Sequence, residues 1–325
     1  MNTPSDIEKI IEYGTKAPSG HNTQPWKFLF KENEIQIHPD FQRALPIVDA
    51  DNHALYISLG CATENIVLAL KNEGFDSRME ILKNKERTDF IKILIIPDDS
   101  IKTDDLFNYI ERRQVSRNAY TSTKIPLEDL DKLIKSVSFN GINMMTFITT
   151  EDIKELEPFI IEANNRQFQN KDFVNELVSW IRFSKKEVEK KRDGIWHASM
   201  GMPSTGRFMG NIIMKQFVSA KSEAKRWKRL IDDSAGFALF NVKKNDVEHW
   251  VNLGRAFQRF GLAATKLNIN HAHVNMPCEE LIVRKNIMAH YNLKNEHPLL
   301  LIRFGYSSKM PYSFRRRVEE VFRIE

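Results

Sequence analysis

The sequence is poor in the residues that build several common kinds of chemistry. Among 325 residues there are only two cysteines, Cys61 and Cys278, far apart and without C-x-x-C spacing. This excludes a disulfide framework and a cysteine zinc site, and suits a reducing compartment. Met1 to Asp6 carries no basic n-region followed by an apolar one, and no apolar run reaches transmembrane length, so a cytoplasmic protein without a membrane partner is expected. No G-x-S-x-G, H-E-x-x-H or Walker loop is present, nor a glycine-rich dinucleotide fingerprint, which argues against a Rossmann NAD domain. Charge of one sign is also scarce. Lysine and arginine number 48 against 43 acids, a net charge of +5. That balance is compatible with an anionic ligand but too diffuse to imply nucleic acid. The apolar fraction of 42% is that of a globular chain with a large core.

What is present is organised around Ala17-Pro18-Ser19-Gly20-His21-Asn22-Thr23-Gln24-Pro25-Trp26. Two prolines, a glycine and short polar side chains forbid a helix and predict a stiff loop. Such a loop can offer backbone N–H groups and the Ser19, Asn22 and Gln24 side chains to a flat polar ligand. A turn that merely delivers the next strand, with Asn22 and Gln24 bonding their own backbone, fits the local residues equally well.

The periodicities predict a first helix to about Lys16, then a hairpin of Phe28–Phe30 and Glu34–His38. A long helix follows from about His53 to Glu73, preceded by Asp49 and Asp51 and stopped at Gly74. Ile91 to Pro97 reads as a strand. The same order returns later, with a helix from about Val247 to Leu267 after Asp246 and a strand over Leu299–Phe304. Laid on the first long helix, the second matches Leu253 on Leu59, Gly254 on Gly60, Ala256 on Ala62, Leu262 on Leu68 and Ala263 on Ala69. Small residues at Gly60 and Gly254 would allow the two helices to approach closely, so the chain reads as two related halves about a pseudo-twofold axis. Between them, Asp105–Arg112 reads as helical, Pro126 opens a helix and Asn143–Ile148 is a strand. Residues 151–234 read as helical, charged and strandless, an insertion interrupted by Gly194–Pro203 and placed to cover a site.

Arg113 and Arg117, four apart, share a face at a helix end and can converge on one phosphate, with Arg112 pointing away. A second cluster, Arg315-Arg316-Arg317, follows the last strand. Two arginine groups from distant parts of a sequence meet the needs of a buried phosphate monoester, although pairing with Glu319 and Glu320 would serve as well. His271 and His273 are expected on opposite faces of a strand, which speaks against a metal, and none is assigned. Trp196-His197 can stack on a ligand or simply pack. The basic stretch from Arg207 to Arg229 reads as a solvated helix face rather than a membrane or nucleic-acid surface.

Pro18-Ser19-Gly20-His21-Asn22-Thr23-Gln24-Pro25-Trp26 resembles the P-S-x-x-N-x-Q-P-W loop of FMN-dependent nitroreductases. Arg113 to Arg117 resembles that family's arginine motif, and Arg315 to Val321 its C-terminal arginine-rich segment ending in E-E-V. In common nitroreductases the arginine motif precedes the loop, whereas here it follows. That order is similar to the Acg-like branch, whose members are single chains with two nitroreductase-like halves.

The resemblance implies an α+β, nitroreductase-like fold with mixed and antiparallel sheets flanked by helices. One half would span 1–110, the other 111–325, with a helical insertion at about 151–234. It implies one composite FMN site per chain, the loop coming from the first half and the arginines from the second, and an empty mirror-related site. Pro18, Ser19, Gly20 and Asn22 would line the isoalloxazine, with Gln24 supporting the loop. Arg113, Arg117 and Arg315 would bind the phosphate end, with Arg316 beside them. Val115 stands where the family often has serine or threonine, with Ser116 as a substitute, and Val274-Asn275-Met276 would approach the ring. No catalytic side chain is implied, because hydride passes from NADPH or NADH through FMN to a nitro, quinone or related small-molecule acceptor. The alternative is a flavin-holding protein whose covered flavin turns over little. The chain would act as a pseudo-dimeric monomer or pair again as a homodimer.

Overall fold

The computed structural model describes residues 4–98, 100–217 and 219–325. Met1–Thr3, on which part of the leader argument falls, and Val218 in the basic stretch lie outside the described residues.

The first part of the chain runs α1 (Pro4–Thr15), β1 (Trp26–Lys31), β2 (Glu34–Pro39), α2 (His53–Asn72), β3 (Phe75–Lys83) and β4 (Asp89–Pro97). Helix α2 starts where the Asp49 carboxylate accepts the N–H groups of Ala54 and Leu55, both at 2.9 Å, satisfying two free helical donors. It ends before Gly74, which holds φ +81°, a conformation that favours glycine. A run of transmembrane length does exist, contrary to the sequence reading: α2 is apolar and long enough by length and composition, but 94% of its most apolar window is buried inside the fold.

The middle holds α3 (Leu127–Lys135), β5 (Ile142–Phe147), α4 (Thr150–Gln169), α5 (Lys171–Trp180), β6 (Ile181–Arg182), α6 (Lys185–Lys191), β7 (Ile195–Trp196), α7 (Arg207–Phe217) and α8 (Ala220–Asp232). The supposedly strandless insertion therefore contains a short parallel pair, β6 with β7. Two-residue strands are too short to leave an alternating pattern in a sequence. The helix expected over Asp105–Arg112 is a 3-10 turn at Asp105–Tyr109.

The chain closes with β8 (Gly236–Val242), α9 (Val247–Lys266), β9 (Asn270–His273), α10 (Met276–Glu279), α11 (Leu281–His290), β10 (His297–Gly305), α12 (Val318–Val321) and β11 (Phe322–Ile324). Strand β8 is buried along its whole length, and its apolar run Phe237–Phe240 gave no period-2 signal.

Besides the β6–β7 pair, the described residues form two larger sheets, in the orders β11-β1-β2-β4-β3 and β5-β8-β10-β9. The second is antiparallel throughout, whereas β11 pairs parallel with β1. The architecture is thus α+β with one mixed and one antiparallel sheet. The last strand, β11, crosses into the first sheet beside β1.

Helices α2 and α9 pack against each other at the centre of one continuous apolar core. A Cβ on Gly60 would overlap the carbonyl of Val251, and one on Gly254 would overlap that of Ile57 while lying 2.9 Å from the Gly60 Cα. The absence of side chains at these two positions sets the backbone separation.

Candidate ligand site

The Pro18–Trp26 loop is bent by three non-glycine residues with positive φ: His21 (48°), Asn22 (56°) and Gln24 (54°). The Ser19 hydroxyl accepts the Gln24 N–H at 2.9 Å, and the loop is pinned from distant sequence. Asn22 Nδ2 donates to the carbonyls of Gly194 and Phe314 at 3.0 and 3.1 Å, while its Oδ1 accepts from Arg315 Nη1 at 3.0 Å. Gln24 Nε2 donates to Arg192 O at 2.9 Å, and its Oε1 accepts the backbone N–H of Arg316 at 2.7 Å. The Asn22 and Gln24 side chains thus bond other segments rather than their own turn, apart from a long contact of Gln24 Nε2 to Asn22 O, whereas Ser19 bonds within the loop.

Beside the loop lies a cavity of about 260 Å³, just below the range of about 300–1,000 Å³ usual for ligand pockets. Pro18, Ser19, Gly20 and His21 form one wall, and Ala54, Ile57, Ser58 and Cys61 of α2 another. Those α2 positions fall at i, i+3, i+4 and i+7, one helical face, which is the signal by which the sequence could have shown them. Arg117, His273, Asn275 and Met276 contribute from the second part of the chain, and Gln167, Phe173, Ile195 and Trp227 from the insertion. A groove of about 780 Å³ along α4 is larger, but it is open, and four of its charged residues are paired with one another, Lys228 near Glu157 and Arg166 bonded to Glu162.

Arg113, Arg117 and Arg315 converge, with Arg117 in the cavity wall and the other two outside its lining. They do so through a loop, not a helix end: Arg113 to Arg117 is irregular backbone, held where the Ser116 N–H donates to His271 O at 3.0 Å. Arg113 is buried in space left by Gly261, where an added Cβ would come within 3.3 Å of its Cδ. Its Nη2 donates to Lys16 O at 3.1 Å, but Nε and Nη1 are buried without a partner. Arg315 Nε is likewise buried and unpaired. Among the described residues no carboxylate pairs with any of the three. Burial and the fields of Arg113 and Arg117 push the Arg315 guanidinium down to about 9, and burial above all brings Arg113 and Arg117 to about 10. The surrounding histidines are held neutral. Burial, then Arg117, lowers His21 to about 4; burial, then Arg117 and Arg113, lowers His273 to about 3. Concentrated positive charge with unsatisfied donors and no counter-ion is the chemistry of an anion site.

Of the remaining sequence candidates, Arg316 is drawn elsewhere, towards Gln24 O, Asp40 and Glu320. Ser116 offers little to a ligand, since its hydroxyl accepts from Asn270 Nδ2 at 2.9 Å and the residue is fully buried. His271 and His273 lie on the same face of β9, both packing on Phe257, because residues two apart in a strand point the same way. Their expected opposition is corrected by this geometry. Trp196 packs edge-on against Phe314, whose carbonyl accepts from Asn22 Nδ2. Asp49, Asp51 and His53 bring ligand-type atoms within 4.8 Å of one another, but Asp49 caps α2 and Asp51 bonds the His53 ring and N–H. Within the basic stretch, Arg207 pairs with Glu187 and Arg226 with Glu223.

No family model matches the chain. A Mycobacterium tuberculosis protein named "Putative NAD(P)H nitroreductase" is 21% identical over 333 residues, covering 97% of this chain and 90% of that one. A second from the same organism, with "acg" in its name, is 24% identical over 84 residues, 26% of this chain and 25% of that one. Among solved structures, the FMN-dependent nitroreductase NfnB of Mycobacterium smegmatis in complex with NADPH aligns over 68% of this chain and 96% of its own, at 14% identity and a TM-score of 0.44.

Proposed function

We propose that this chain, a member of the nitroreductase superfamily, is an FMN-dependent oxidoreductase with one flavin site per chain. The observation that carries the reading is the convergence of Arg113 and Arg315 on Arg117, which lines the cavity, with Nε and Nη1 of Arg113 and Nε of Arg315 buried and unpaired. A flavin mononucleotide fits this set. Its phosphate would satisfy the guanidinium donors and neutralise their repulsion, while its ring would lie in the cavity against Pro18, Ser19 and Gly20. Asn22 and Gln24 would hold the loop and the Arg315 segment together rather than touch the ring. When bound, FMN supplies two-electron hydride chemistry between NADPH or NADH and a nitro, quinone or related acceptor. The chain's part is to position, to neutralise the phosphate and to exclude water.

The halves 1–110 and 111–325 would meet at this site across α2 and α9. The repeat that matches Gly60 with Gly254 places Arg255 opposite Cys61. Arg255 bonds Glu64 at 2.9 Å and lies 5.1 Å over the Phe139 ring, so the mirror-related position is filled by an ion pair. This supports one site rather than two.

A second reading, a flavin holder with little turnover, is favoured by the insertion. Gly194 donates its N–H to Asn22 O at 3.1 Å, and Ile195, Phe173 and Trp227 stand at the cavity. One experiment separates the two. Purified protein is expected to hold about one FMN per chain, and anaerobic NADPH or NADH to bleach its oxidised band promptly. Persistent colour would establish the holder, and a chain that takes up no flavin would remove both.

A further inference from the structure

The cavity has a second polar region, distinct in sign from the arginine cluster. Glu279, at the end of α10, accepts from Gln167 Nε2 at 2.7 Å and from Asn275 Nδ2 at 3.2 Å. All three residues line the cavity, as does Asn164 of α4. The orientations of the Asn275 and Asn164 amides are set by their other partners. Asn275 Oδ1 accepts the Leu301 N–H at 3.0 Å, so its nitrogen faces Glu279. Asn164 Nδ2 faces the Ala220 carbonyl, an acceptor, which leaves its Oδ1 fully buried and without a partner. One N–H of each amide is engaged by Glu279 or by backbone, and Asn164 Oδ1 is the buried polar atom of this group left without a partner. Burial holds the Glu279 carboxyl above its ordinary range, and the charges it feels are His53 and Asp49 on the α2 side. Arg117 instead bears on His21 and His273. Phe168, Phe173 and Trp227 give this region an aromatic wall.

We infer that this region selects the acceptor by a hydrogen-bond donor: an aromatic or quinoid ring carrying an amino, ammonium or hydroxyl substituent, in preference to one presenting only carboxylate or nitro oxygens there. The inference rests on the reading of the cavity as a flavin and acceptor site. An acceptor-only ligand would leave Asn164 Oδ1 unpaired and set its own oxygens against the Glu279 carboxyl, whereas a donor satisfies both.

The test is calorimetric titration of the FMN-loaded full chain with benzylamine, benzyl alcohol and benzoate. Benzylamine and benzyl alcohol are expected to bind at least about tenfold tighter than benzoate. Asn164→Leu and Glu279→Gln should each remove most of that preference. Two variants are used because either one alone could fail to fold. Equal or tighter binding of benzoate, or a preference unchanged in both variants, would overturn the inference while leaving the flavin reading intact. If the chain takes up no FMN, the flavin reading falls instead. The titration is then run with the arginines saturated by inorganic phosphate, where preference for benzylamine over benzoate keeps the ligand class and its absence ends it.

Discussion

Arg113 and Arg315 donate through their Nη2 atoms to the same acceptor, the carbonyl oxygen of Lys16, at 3.1 and 3.3 Å. One backbone oxygen at the end of α1 thus gathers two guanidinium groups from opposite ends of the second half, next to the Pro18–Trp26 loop. A single carbonyl dipole cannot neutralise two cations, so the ligand-free arrangement is electrostatically incomplete.

That incompleteness gives opposite expectations for the free and loaded chain. Arg117 makes no hydrogen bond among the described residues, so Arg117→Ala should leave the melting temperature of the ligand-free protein unchanged or higher. The same variant should weaken FMN binding about ten- to a hundredfold, the loss of about 1.5–3 kcal/mol for a hydrogen bond to a charged group. Thermal melts with and without FMN measure both. Undiminished flavin affinity would remove Arg117 from the site.

The buried histidines predict a pH dependence. His21 and His273 titrate in the folded chain near 4 and 3, against an ordinary value of 6.5. Below about 6.5 the unfolded chain takes up protons that the folded chain refuses, so stability falls as pH falls. The slope is up to about 1.4 kcal/mol per pH unit for each histidine until the folded value is reached. Urea unfolding at neutral and mildly acidic pH should show this loss, and His273→Asn should flatten it. An unaltered slope in that variant would show that other groups carry the effect.

The helix crossing predicts a packing cost. Gly60→Ala places a methyl group on the Val251 carbonyl, where backbone must move. The expected loss is about 1–3 kcal/mol, although alanine is favoured over glycine by about 1 kcal/mol in an unhindered helix. Chemical denaturation reads the difference. A variant as stable as the parent would mean that α2 and α9 separate without penalty.

The C-terminal strand predicts a link between stability and the site. Phe322 is buried in the main core, where β11 pairs with β1. Phe322→Ala should cost about 3–5 kcal/mol. By freeing the segment that carries Arg315, it should also lower flavin retention. Retention that stays normal while stability drops would show that Arg315 is held by Asn22 and Lys16 alone.

Much of this architecture was legible in residue order. The long helices α2 and α9 announced themselves by 3.6-residue periodicity and by Asp49, Gly74 and Asp246 at their ends, because capping is local chemistry. The hairpin of β1 and β2 followed from its spacing for the same reason. Strand β8 did not, since a strand covered on both faces loses the alternation that marks a half-buried one. Strand β11 is three residues long and exists only because β1 offers an unpaired edge.

The candidate site divides in the same way. By itself the sequence determined the composition of the Pro18–Trp26 loop, the two arginine groups and the matched glycines of the long helices. Only the tertiary structure decided that Arg315 meets Asn22, that Arg316 turns to Asp40 and Glu320, and that Glu279, Gln167 and Asn164 face the same cavity as the loop. Those choices depend on which donors remain unpaired once distant segments pack, and pairing at a distance leaves no periodicity or spacing in a linear sequence.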